Sequence, residues 1–147
     1  MLSITGAALA LWLHVMAACI WIGGQVTVAI LIPLLRRQGQ LAVIAGRRYQ
    51  AVAWPAFGVL VVTGIINVGN AGIQWRHLLD TDAGRTLAVK LGLVAVSGLA
   101  AGVHAFLQAP RRDAAAAGRP WAAALLGSAS VLAAVLAALY GVVIASA

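Results

Sequence analysis

From Ala7 to Leu35 the chain carries no Asp, Glu, Lys or Arg. Three further runs, Ala51–Ala71, Thr86–Gln108 and Trp121–Ala145, are built the same way, and Lys90 is the one charge inside any of them. About 20 predominantly apolar residues suffice to cross the ~30 Å hydrocarbon core of a bilayer. Inside hydrocarbon every backbone N–H and C=O must find its partner within the segment, so each run is expected to be a helix. The expected fold is an all-α integral membrane protein, a four-transmembrane-helix up-down bundle formed by residues 1–147 as a single domain.

Composition agrees with lipid as the solvent. The chain is 63% hydrophobic and 9% charged, against about a quarter charged in soluble domains. A net charge of +7 raises the question of nucleic acid. The arginines, however, sit in short connections between apolar runs, where a membrane protein needs them for orientation. The bilayer is therefore the expected partner and nucleic acid is not. The first basic residue is Arg36, so the charged segment that opens a signal peptide is missing. The first run is expected to stay as a membrane helix.

The connections are "RRQGQLAVIAGRR", "GIQWRHLLDTDAGR" and "APRRDAAAAGRP". The first holds Arg36, Arg37, Arg47 and Arg48, and the third holds Arg111, Arg112 and Arg119. In the second, Arg76 and Arg85 are offset by Asp80 and Asp82. The positive-inside rule puts connections one and three in the cytoplasm and both termini outside, as in a bacterial-type plasma (inner) membrane.

This topology turns position into depth. At 1.5 Å per helical residue, His14 lies roughly 10 Å below the outer boundary, Lys90 and Asn67 roughly 6 Å, Thr63 roughly 12 Å and Tyr140 roughly 8 Å. His104 and Gln25 fall roughly 27 Å down, in an inner layer. At about 100° per residue, His14, Ala18, Trp21 and Gln25 share a stripe, as do Lys90, Ser97, Ala101, His104 and Gln108, and Thr63, Asn67 and Asn70. Polar groups avoid lipid, so these stripes are expected to face inward. Thr63, Asn67, Asn70 and Ser97 suit hydrogen bonds that hold helices together. An intramembrane histidine instead suggests function, with Asn67 or Tyr140 at hand to fix one ring nitrogen of His14. Gly98 and Gly102 form a small-xxx-small pair that would seat a neighbouring helix of the same chain or of a second copy, making a homodimer.

Three strings carry a family likeness. "LHVMAACIWIGGQ" resembles the first helix of the CopD-like family, the copper-resistance D domain, with His followed by Trp-x-Gly-Gly. "RRYQAVAWPAFGVLVVTGIINV" resembles the basic entry, Trp-Pro and Thr-Gly of that family's next helix. "GRTLAVKLGLVAVSGLAAGVHAFLQAPRR" resembles its Lys-Leu and late His-x-Phe segment. A more distant likeness is to the HemJ-type protoporphyrinogen oxidases, four-helix proteins associated with haem. The resemblance implies a plasma-membrane protein of copper or haem handling, and points to His14, Trp21, Gly23, Gly24, Lys90 and His104. The chain departs from many copper-handling proteins in having no Met-rich or His-rich tract, with Met1 and Met16 its two methionines.

The residues leave copper and haem b both open. Cu(I) favours thiolate, thioether and imidazole ligands. Met16 and Cys19 share a helix face, but His14 lies about 200° from Met16 and about 140° from Cys19 at ~100° per residue, so the string is no three-ligand chelate. A haem needs an axial histidine, an apolar slot and cations for its propionates. His14, the small residues Ala17, Ala18, Gly23 and Gly24, and Lys90 or Arg76 would supply these, with Asn67 and Tyr140 in the same layer as His14. His14 and His104 are the two candidate metal ligands, at depths too different to share one iron. His77, in the outer connection, would be a second ligand only if that loop folds back. No nucleophile–base pair, phosphate loop or intramembrane carboxylate is visible, so any enzymatic chemistry would have to come from a cofactor such as haem. The competing reading is a small accessory subunit of a larger membrane complex, with a membrane or periplasmic partner and no ligand of its own.

Overall fold

The computed structural model describes residues 4–37, 40–107 and 120–146. It contains α1 (Gly6–Arg36), α2 (Gln40–Asn70), a short 3-10 turn (Trp75–His77), α3 (Asp82–Leu107) and α4 (Pro120–Ser146). All four long helices are apolar enough to cross a membrane, and the described residues include no strand. They fall into two compact units, Met1–Trp75 and Arg76–Ala147. The first is the hairpin α1–α2 and the second the hairpin α3–α4.

One boundary differs from expectation. The first connection was expected to run from Arg36 to Arg48, whereas α2 already begins at Gln40. Arginines end a hydrophobic run without ending a helix, because Arg, Leu and Ala all favour helical backbone. The edge of the apolar run is thus a membrane boundary, and the helix continues past it. Pro55 lies inside α2. Its missing N–H leaves a carbonyl one turn back without its helical partner, which membrane helices tolerate when neighbours compensate. The third connection, 109–120, lies mostly outside the described residues.

Each hairpin has a seam with alternating steps of three and four residues. On α1 it runs through Ala10, His14, Ala17, Trp21 and Gly24, and on α2 through Tyr49, Ala53, Ala56, Leu60, Thr63 and Asn67. Ala10, Ala17, Trp21, Ala53, Ala56, Leu60 and Thr63 are buried, while Val15, Ile20, Val52, Val59, Val62 and Ile66 are exposed. Small residues thus line the contact and branched or long ones face outward. Lipid tails are as apolar as leucine, so helices in a membrane associate by close packing and hydrogen bonds. Alanine on the seam lets the backbones approach. The same steps recur in the second hairpin, through Leu87, Lys90, Val94, Ser97, Ala101 and His104, against Ala123, Gly127, Ser130, Ala134, Ala137 and Gly141. This is the coiled-coil repeat, and it places Ala17, in preference to Ala18, at the centre of the α1 seam. Asn70 is exposed, and Gln108 lies outside the described residues.

The entry to α3 is closely built. Thr81 caps the helix, its Oγ1 accepting the Gly84 N–H at 3.0 Å. A Cβ at Gly84 would lie 2.5 Å from the Leu78 carbonyl oxygen, so only glycine fits. On the exposed surface His77 Nδ1 lies 2.9 Å from Asp80, and Arg85 pairs with Asp82 at 2.8 Å.

Candidate functional site

In the first hairpin, His14 meets α2 at Thr63 and Gly64. His14 Nδ1 lies 3.1 Å from Thr63 Oγ1. Thr63 Oγ1 in turn lies 2.6 Å from the Val59 carbonyl, one turn back on its own helix. Gly64 supplies the room: a Cβ there would come within 3.2 Å of His14 Cε1. Asn67 or Tyr140 was expected to fix a ring nitrogen of His14, and in the structure Thr63 bonds Nδ1. A β-branched hydroxyl residue on the seam, one position before a glycine, puts its oxygen beside the space the imidazole fills. Asn67 follows one turn further along α2. Its Nδ2 is buried and has no hydrogen-bond partner among the described residues.

The middle of this hairpin is aromatic. Trp21 is 2% exposed, with ring centroids 5.7 Å from Trp54 and 4.5 Å from Phe57. Trp21 therefore belongs to the packing core of α1 and α2. Below it, the Tyr49 ring crosses Gly24 so closely that a Cβ there would lie 2.5 Å from Cε2. The space beside Gly24 is thus filled by Tyr49, whereas nothing lies within 4 Å of a Cβ built at Gly23.

In the second hairpin Lys90 lies against Gly141, with Nζ 2.8 Å from where a Cβ would stand. Tyr140, half-buried, is the neighbouring residue on α4. Lys90 has no hydrogen bond or ion pair with a described residue. At mid-seam Ser130 Oγ donates to the Ser97 carbonyl at 2.9 Å. The two hydroxyls lie 3.2 Å apart. One heptad further on, His104 Nδ1 donates to the Ala123 carbonyl at 2.8 Å, and a Cβ at Gly127 would stand 3.7 Å from the ring. Gly98 and Gly102 are half-buried.

Among the described residues no group of three or more His, Cys, Asp or Glu is placed to hold a metal ion. Cys19 is exposed and Met16 is 43% exposed, both off the seam. Sequence reasoning matched His14 and Thr63 in depth but assigned Thr63 to helix packing alone. It also missed the receiving glycines, Gly64, Gly127 and Gly141. The signal was present as glycines on seam positions, opposite a long polar side chain.

Four apolar helices with polar side chains turned onto their seams define a multi-pass membrane protein. Residues 43–146 match the family model for copper resistance protein D, CopD, and the chain belongs to that family. It is therefore a membrane protein related to copper resistance. The matched segment takes in most of α2 with α3 and α4, and leaves out α1 and its His14. No curated protein and no solved structure matches the chain.

Proposed function

We propose that the chain handles copper ions at a bacterial-type plasma membrane, with His14 as the imidazole that meets the ion. The family supplies the copper association. The choice of His14 rests on one observation: it is a half-buried histidine within a membrane-spanning helix, with Nδ1 held 3.1 Å from Thr63 Oγ1 on the facing helix. Copper enters here as cargo. Among the described residues no group of three or more His, Cys, Asp or Glu could close a ligand set, which suits transient contact better than storage, since tight Cu(I) sites gather several soft ligands. Metal analysis of the purified protein, together with its visible absorption spectrum, tests the reading: bound copper without a Soret band supports it.

Lys90 favours a second reading. An intramembrane ammonium without an acceptor among the described residues would suit a carboxylate-bearing ligand such as haem b. A Soret band lost in Lys90→Ala and in His14→Ala would establish that reading. Neither copper nor haem, before or after reconstitution, would leave the accessory-subunit reading.

The proposed orientation has both termini outside, by arginine distribution. In a Cys19→Ser background, a cysteine at Ser3 should react with an impermeant reagent in intact cells and one at Gln38 should not. The reverse pattern inverts the orientation.

A further inference from the structure

We infer that the turn before α3 is a weak capture site for Cu(II), with His77 Nδ1 and Asp80 Oδ2 as its two protein donors. The two atoms lie 2.9 Å apart on the surface, with side chains 53% and 66% exposed. Bonds from a first-row divalent ion to imidazole nitrogen and carboxylate oxygen are about 2.0–2.2 Å long. Two such bonds at a right angle put the donors ~2.9 Å apart, whereas a tetrahedral angle puts them ~3.4 Å apart. The pair thus has the spacing of adjacent corners of a square, the arrangement Cu(II) favours with N and O donors. Cu(I) favours softer ligands. The turn therefore selects the oxidised ion.

The fold holds this pair ready. The Asp80 N–H donates to the His77 carbonyl at 3.2 Å and closes the turn. The His77 and Leu78 carbonyls rest on Gly84, where a Cβ would lie 2.8 and 2.5 Å from their oxygens. Donors that start at the required spacing lose little freedom on binding. Asp82, the neighbouring acid, is engaged by Arg85 at 2.8 Å, which leaves Asp80 to the ion. An exposed ion pair such as His77–Asp80 adds little to stability, so exchanging it for two metal bonds sacrifices little. The ion takes the place of the hydrogen between the two atoms, and the neutral ring then carries its one proton on Nε2. Among the described residues no third His, Cys, Asp or Glu completes the set. The ion therefore exchanges freely and is removed by washing. The inference does not depend on His14 being a ligand.

The test titrates full-length protein in nanodiscs with Cu(II) alone, read by the nitrogen couplings in the copper EPR spectrum and by equilibrium binding. The wild type should take up one Cu(II) coupled to one imidazole nitrogen at this turn. His77→Ala should lose that signal. Asp80→Asn should weaken binding at least ~10-fold, since even partners that only orient a ligand are worth that much. Both side chains are exposed, so the variants should fold as the wild type does. A wild type without the one-imidazole signal overturns the inference. So does a signal that survives His77→Ala, or an Asp80→Asn that binds as tightly as the wild type. Copper that survives washing reports on His14 and copper that needs free Cu(II) in solution reports on this turn, so either reading can fail alone.

Discussion

The two hairpins use the same seam repeat and fill its middle differently. In α1–α2 the centre is Trp21, packed on Trp54 and Phe57. In α3–α4 it is the serine pair Ser97 and Ser130, each 1% exposed. Without a hydrophobic drive between helices in lipid, either solution must supply its own cohesion, one by dispersion over large rings and the other by hydrogen bonds at close approach. Towards the ends both hairpins converge on one device. A long polar side chain lies across a glycine of the facing helix: His14 on Gly64, Tyr49 on Gly24, Lys90 on Gly141 and His104 on Gly127. The seam thus holds polar groups away from lipid without separating the helices.

The sharpest way to break this contrast is Trp21→Ala. Removing a buried Trp typically costs ~3–5 kcal/mol, and thermal unfolding in detergent should show the largest loss of any single change here. Gly24→Ala comes next. Its new methyl would meet the Tyr49 ring at 2.5 Å, and such overpacking costs ~1–3 kcal/mol. Ser130→Ala should be milder, since interhelical hydrogen bonds in membranes are worth ~0.6 kcal/mol on average. If Ser130→Ala destabilised more than Trp21→Ala, the assignment of cohesion to rings in one hairpin and serines in the other would fall. Gly127→Ala should be smallest, because its Cβ would lie 3.7 Å from His104, an ordinary contact. Alanine's better helix propensity should then leave stability unchanged or slightly raised.

The four helices were legible because hydrocarbon imposes long apolar runs, and the burial of Thr63 and Ser97 because polar groups avoid lipid, whereas Asn70, on the same expected stripe as Thr63, is exposed. The start of α2 was not, because Arg47 and Arg48 mark a membrane boundary that the helix ignores. At the site, His14 and Thr63 could be matched by depth, but which polar neighbour bonds the ring depends on side-chain direction and on Gly64 leaving space. Neither has a periodicity to read. Asn67 also fell within one helical turn of His14 in depth, yet its Nδ2 has no hydrogen-bond partner among the described residues. Depth alone could not separate the two. The His14 string also lies outside the segment that matches the family, so its proposed role stands on geometry alone.

The central claim is that His14, in the first hairpin, is the imidazole that meets the ion. Copper bound per chain should be measured in purified wild type, His14→Ala and His104→Ala after identical loading and washing. The account predicts that His14→Ala loses the bound copper and His104→Ala retains it. Retention by His14→Ala with loss in His104→Ala would contradict it and move the site to the second hairpin.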